Sequence, residues 1–190
     1  GTSYATLDGG AGVDTLRFAS TNLDLTGLQS KTANLEVVDG TNSHADIITI
    51  DKAFVAGASD ANNIVTVLGD AADSVVLSDK TNWSWKGEVS AFGTTLYQYK
   101  SIDNGATLNV QKDLAGTPGI FFYGDGLADK DDKFIAPDLT FDTLVGGTGN
   151  DTDWLGISGT DYDFTQAGVA AKISSLEVID ATANVGANTI

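Results

Sequence analysis

An all-β fold is predicted from three observations. Apolar segments are short and rich in β-branched and aromatic residues, they are punctuated by Gly, Asp, Asn and Ser, and almost nothing recurs at helical spacing. Strands are expected over residues 46–50, 63–68, 74–78, 85–89, 95–100, 107–111, 120–123 and 176–180. In the segment Thr95-Leu96-Tyr97-Gln98-Tyr99-Lys100 one side chain in two faces inward, the alternation of an antiparallel sheet packed on one face. Only residues 52–58 and 166–173 have the pattern of short helices. The architecture expected is a calcium-stabilised antiparallel β-sandwich with long acidic loops and at most one or two short helices.

The order of elements carries an internal repeat. Leu7-Asp8-Gly9-Gly10-Ala11-Gly12-Val13-Asp14-Thr15 is echoed by Leu144-Val145-Gly146-Gly147-Thr148-Gly149-Asn150-Asp151-Thr152. Downstream, Asn22-Leu23-Asp24-Leu25-Thr26 answers to Asp161-Tyr162-Asp163-Phe164-Thr165, and Leu35-Glu36-Val37-Val38-Asp39 to Leu176-Glu177-Val178-Ile179-Asp180. Three blocks in register mark a duplication. Its apolar positions need no explanation beyond strand chemistry. No Pro- or Ser-rich linker interrupts the 190 residues, so a single domain is expected: repeat halves at 1–50 and 144–190 and a unique β-rich middle at 51–143.

Charge narrows the functions. The net charge is −16, and of the 26 carboxylates only Glu36, Glu88 and Glu177 are Glu; the bases are nine Lys and Arg17. Such a surface repels phosphate backbones and anionic lipid, which excludes nucleic-acid binding. No apolar run approaches the ~20 residues that span a bilayer, so no membrane insertion is expected. Asp suits turns and short-armed ligation of hard cations. Solubility explains an acid excess equally well, so position has to decide between the two.

Three acidic groups have positions that suit an ion. Gly9-Gly10-Ala11-Gly12-Val13-Asp14-Thr15-Leu16-Arg17 fits the nonapeptide G-G-x-G-x-D-x-U-x, in which glycines turn carbonyls toward calcium; Asp14 supplies charge, Leu16 core, and the neighbouring Asp8 a further carboxylate. In the second copy Asp153 stands at the U position, followed by Trp154 and Leu155. One nonapeptide cannot stack into a β-roll, which shares each ion between turns. A second group, Asp125, Asp129, Asp131 and Asp132, lies in Asp125-Gly126-Leu127-Ala128-Asp129-Lys130-Asp131-Asp132-Lys133, which lacks the glycine and glutamate of an EF-hand. Two carboxylates ~4 Å apart repel by about 4 kcal/mol at an effective dielectric near 20, so an ordered loop of this kind calls for a cation. A solvated loop balanced by Lys130 and Lys133 is the alternative. Asp151, Asp153, Asp161 and Asp163 form the third group, each i, i+2 pair falling on one face of an extended backbone.

Enzyme chemistry finds little support. His44 is the only histidine, there is no Cys, and no Ser sits in a Gly-x-Ser-x-Gly turn. The abundant Asp offers no means of choosing a catalytic pair. Trp83 and Trp85, like Tyr97 and Tyr99, are spaced to share a strand face, where they either fill a core or present a platform to a sugar or peptide end. Candidate ligand-contacting aromatics are Trp83, Trp85, Tyr123 and Trp154.

The paired Gly-Gly-x-Gly-x-Asp openings followed by Leu-Glu-Val-(Val/Ile)-Asp resemble modules of the RTX adhesins, giant proteins that type I secretion exports to Gram-negative surfaces. So does Gly69-Asp70-Ala71-Ala72-Asp73-Ser74-Val75-Val76-Leu77, leading through Trp85, Gly87, Tyr97 and Tyr99 to Thr107-Leu108-Asn109-Val110. Residues 117–141 match nothing in that pattern. The resemblance implies a secreted, cell-surface, non-enzymatic module that binds several Ca2+ ions, is monomeric in isolation and serves adhesion and biofilm formation. It further implies a calcium-dependent grip on the C-terminus of a surface peptide or protein on a host or neighbouring cell. A glycan-binding module and a calcium-rigidified spacer without a ligand are the alternatives.

Overall fold

The computed structural model describes residues 5–19, 22–59, 62–125, 131–148, 150–158 and 162–180, and the chain divides into two compact units, residues 1–118 and 119–190. The first copy of the repeat lies in unit 1 and the second in unit 2.

In unit 1 a first coil carries β1 (Leu7–Asp8), β2 (Thr15–Arg17) and β3 (Asn22–Asp24), and a second carries β4 (Thr32–Ala33), β5 (Val37–Asp39) and β6 (Ile47–Ile50). A third holds helix α1 (Lys52–Ala58), β7 (Ile64–Leu68) and β8 (Ser74–Leu77). Each strand pairs in parallel with its counterpart one coil later: β1 with β4, β2 with β5 and β5 with β7, β3 with β6 and β6 with β8. The chain then makes the antiparallel hairpin β9 (Trp83–Ala91) and β10 (Thr94–Ser101), and β11 (Thr107–Gln111) returns to pair antiparallel with β10 and parallel with β7. Unit 2 repeats the winding with two strands per coil: β12 (Phe121–Tyr123) and β13 (Lys133–Ala136), β14 (Thr143–Val145) and β15 (Trp154–Ile157), β16 (Ile173–Ser174) and β17 (Val178–Asp180). The ladders β12-β14-β16 and β13-β15-β17 are parallel throughout.

The architecture is therefore a β-solenoid of about six turns, three in each unit, and not the antiparallel sandwich expected. The eight expected strands are all present, and so is the helix at 52–58. The sandwich inference generalised from residues 95–100, which lie in β10 between its antiparallel partners β9 and β11; even there a bulge between Gln98 and Tyr99 interrupts the alternation, and Leu96 and Tyr99 are the buried pair. In the coils, strands of two to five residues are too short to display a period. Paired residues one coil apart lie from 21 positions (Lys133 and Trp154) to 29 positions (Val37 and Thr66) apart, and this variation in loop length hides the repeat. The second expected helix is a single 3-10 turn at Ala170–Lys172, preceded by Gly168 at φ 90.

Parallel register stacks like residues into rows. Leu23, Ile48 and Val75 form one buried row, and Val38, Val67 and Val110 belong to another. Each such side chain contributes roughly 1.5–3 kcal/mol on burial. Helix α1 is capped by Asp51, whose carboxylate accepts the Phe54 N–H at 2.7 Å, and it buries Phe54, Val55 and Ala58. In unit 2 the row Phe134 and Leu155 adjoins Phe122, whose ring lies 5.7 Å from Phe134 and 5.9 Å from Phe141. Residues 117–141, unmatched in sequence, are largely the first coil of unit 2: Asp138-Leu139-Thr140 closes the same side-chain turn as Asp24-Leu25-Thr26 and Asp163-Phe164-Thr165, with each Thr N–H and hydroxyl donating to its Asp.

Candidate metal centre

Every coil has to turn a corner, and a parallel ladder leaves backbone N–H groups unpaired there. The acids solve this with a recurring two-bond clamp. Asp14 donates its N–H to the Glu36 carboxylate at 2.9 Å and accepts the Val37 N–H at its carbonyl at 3.0 Å. The same pair of bonds joins Asp46 to Asp73 and Ser74, Asp132 to Asp153 and Trp154, and Asp153 to Glu177 and Val178. A glycine precedes several of these acids because the corner is too close for a side chain. A Cβ at Gly9 would lie 2.1 Å from the Asn34 carbonyl and 2.5 Å from the Asp14 Cβ; at Gly146 it would lie 1.7 Å from the Ser175 carbonyl and 2.5 Å from an Asp153 oxygen.

The clamps fix the register of the two copies. Asp153, not Asp151, occupies the place of Asp14: it has the same glycine before it, the same glutamate after it and the same pair of bonds. The second copy thus carries two extra residues in its corner, and Leu155 answers to Leu16, each in the strand that follows. The displaced Asp151 is what makes this corner unlike the others.

In unit 2 the corner gathers charge. One carboxylate oxygen from each of Asp132, Asp151 and Asp153 lies within 4.8 Å of the other two, the only such acidic group among the described residues. Asp153 is 4% exposed, while Asp132 and Asp151 are half-buried. Asp132 holds the Asp125 N–H at 2.9 Å, and the Thr152 N–H donates to Asp131 at 3.0 Å. Among the described residues no Lys or Arg forms an ion pair with any of the three. Burial pushes the Asp132 carboxyl above its ordinary range, and the neighbouring Asp125, Asp153 and Asp151 add to the shift. Burial likewise raises Asp153, with Asp151, Glu177 and Asp131 adding to it. Like charges 4.8 Å apart repel by about 3.5 kcal/mol at an effective dielectric of 20. A hard divalent cation satisfies such a set, and three side-chain oxygens leave further positions of its six to eight open to water or a ligand.

The sequence-selected residues separate into three groups. Asp132, Asp151 and Asp153 converge. Asp14 is a corner clamp; Asp8 is exposed and accepts the Gly10 N–H and the Asn34 amide; Asp163 is held by Thr165, which lowers its pKa through the hydroxyl and then the N–H. Asp125 and Asp131 bond the flanks of the converging group, and Asp129 and Asp161 lie outside the described residues. Of the aromatics, Trp83 is fully buried with its indole N–H on Asp79 at 2.9 Å, and Trp85 is 7% exposed with an edge-to-face contact to Tyr97 at 6.2 Å. Tyr123 is half-buried beside Phe121. Trp154 differs: with Lys133, Ile135, Gly156, Ser158 and Asp180 it lines a groove of about 230 Å³ on the outer face of β13-β15-β17. Gly156 leaves the gap, Ile135 is 66% exposed, and the Lys133 ammonium sits 5.5 Å from the Trp154 ring centre. The buried indole N–H of Trp154 has no hydrogen-bond partner.

Sequence reasoning missed Glu36 and Glu177 as clamp acceptors. Their signal was present, since Leu-Glu-Val follows each glycine-rich corner at a similar interval.

No protein-family model, no curated protein and no solved structure matches this chain.

Proposed function

We propose that the chain is a calcium-dependent adhesion module of a bacterial surface protein, in which an ion held by Asp132, Asp151 and Asp153 captures the terminal carboxylate of a peptide. The convergence of those three carboxylates, with no basic side chain paired to them among the described residues, carries the reading. The groove supports it. Asp132 and Asp153 are followed directly by Lys133 and Trp154, so the ion's corner runs into a surface that offers one ammonium and an aromatic face. A peptide end brings a carboxylate for the cation and Lys133, and an apolar side chain for Ile135 and Trp154. The test is calorimetry with short peptides bearing free or amidated C-termini, in calcium and in EDTA. Binding that requires both calcium and the free carboxylate is expected, and affinity undiminished by amidation would refute the mechanism.

A second reading rests on the clamps. Among the described residues four corners share the same clamp between backbone and carboxylate, which suits a rigid spacer that displays other modules. Peptide silence together with a calcium-independent melting temperature would select it.

A further inference from the structure

Unit 1 carries a second groove, independent of the acidic corner of unit 2. It holds about 310 Å³ between the corner loop of the first coil and the tip of the β9-β10 hairpin, and is lined by Val13, Glu36, Ile64, Thr66, Phe92 and Asn109, among others. Three features of it lack a structural purpose. The rim is apolar and open: Val13 is 67% exposed, Phe92 55% and Ile64 39%. In the wall, Glu36 spends one carboxylate oxygen on the Asp14 N–H, while its other oxygen, Oε1, is buried without a hydrogen-bond partner. Phe92 occupies the first of two left-handed positions in a two-residue hairpin, with φ 52 followed by Gly93 at φ 78. Asn-Gly is the natural occupant of that turn. A bulky aromatic held in the left-handed region is an outlier that points to a use for the ring.

The geometry points to this groove as the seat of a lysine side chain from a partner protein. The four-carbon stem lies against Val13, Ile64 and Phe92, and the ammonium is drawn to Glu36, the one carboxylate among the lining residues. Charge complementarity favours a cation at a chain of net charge −16. Arginine suits the site less well, because its planar fork seeks both oxygens of a carboxylate and the second oxygen of Glu36 is taken. A metal ion suits it less well too, since it has no use for an apolar rim. Only one carboxylate lines this site, and among the described residues three converge only at Asp132, Asp151 and Asp153.

The test uses the full chain, labelled for backbone nuclear magnetic resonance and titrated with acetyl-Gly-Lys-Gly-amide. The matching norleucine peptide and calcium chloride serve as competitors. Perturbations confined to the amides around Val13, Glu36, Ile64 and Phe92 are expected, with a dissociation constant on the order of 1 mM for so small a contact. Glu36→Gln retains a carbonyl acceptor for the Asp14 N–H while removing the charge, and should weaken binding at least fivefold. Phe92→Asn suits the turn better than the native residue, so it keeps the hairpin folded and should weaken binding similarly. Equal binding of the norleucine peptide would reduce the site to an apolar patch. Shifts spread over the whole chain and indifferent to both variants would reduce it to general charge attraction, and displacement of the peptide by millimolar calcium would give the site to a metal. Any of these three overturns the assignment without touching the reading of unit 2.

Discussion

Asp153→Asn separates the two roles an acid can play in the unit 2 corner. The carboxylate accepts the Asp132 N–H at 3.0 Å, and an asparagine oxygen can keep that bond. What the substitution removes is charge. Asp153 lies within 4.8 Å of both Asp132 and Asp151, and each repulsion amounts to about 3.5 kcal/mol at an effective dielectric of 20 but only about 1 kcal/mol at that of bulk water. With two of the three side chains half-buried, a net relief of about 2 kcal/mol is expected in EDTA. For a chain of this size that corresponds to a rise of roughly 4–8 °C in melting temperature. In calcium the order should invert, because the native protein gains about 2.7 kcal/mol at an ion concentration one hundred times its dissociation constant, and about 4 at one thousand times, while the variant gains little. The assay is a pair of thermal melts for each protein, in EDTA and in 10 mM calcium chloride, with magnesium as a control for screening. If Asp153→Asn is destabilised equally in both media, the carboxylate is a corner acceptor and the metal centre is refuted.

Acid pH offers a second route to the same charges. Asp132 and Asp153 bind protons more tightly folded than unfolded, so in EDTA the native state takes up protons between the ordinary aspartate pKa and their raised values. Their contribution to stability therefore increases as pH falls through that window and declines as pH rises through it, and calcium affinity should weaken as protons compete; denaturant melts and calcium titrations between pH 4 and 7 read both. Asp103 has the opposite sign, since its bonds to Lys52 and then Ser101 lower it to about 2, so its contribution is present above pH 4 and is lost as pH falls toward 2. Gly146→Ala drives a Cβ into the Ser175 carbonyl and should cost about 3 kcal/mol or more, whereas Gly10→Ala meets open space and should cost about 1 kcal/mol for its φ of 92; urea midpoints distinguish them. Trp83→Phe strips Asp79 of its indole donor, and a loss of about 1–3 kcal/mol is expected in the same assay.

Local structure was legible in the sequence wherever the signal is local. The strands at 95–100 and 107–111 and the helix at 52–58 each announce themselves through side-chain type and spacing. The stacking direction did not, because parallel pairing is settled by contacts a full coil apart, and the coil length drifts from 21 to 29 residues. The duplication was visible, yet its register slipped at the acids: Gly-x-Asp-Thr aligned Asp151 with Asp14, and only the bonds to Glu177 and Val178 reveal that Asp153 holds the corner. Of the site, Asp132, Asp151 and Asp153 stood among ten acids selected by chemistry. Nothing in the sequence could say which would meet, since Asp132 and Asp153 converge through the pairing of β13 with β15. The buried state of Trp83 and the open groove beside Trp154 were equally out of reach, because both depend on which strand face turns inward.

The clamps also give the chain a direction. In all four, the N–H belongs to the earlier coil and the carboxylate to the later one: Asp14 waits for Glu36, Asp46 for Asp73, Asp132 for Asp153, and Asp153 for Glu177. Among the described residues, the Thr152 N–H, reaching back to Asp131, runs the other way. A chain entering its folding medium amino end first presents a series of donors, each unanswered until roughly two dozen further residues have arrived. A chain entering carboxyl end first presents the acceptors ready-made, and every newly arriving coil finds its partner already in place. The same polarity makes the two directions of trimming unequal: loss of a coil on the amino side leaves solvated carboxylates, whereas loss of a coil on the carboxyl side strips the corner before it of its side-chain acceptor.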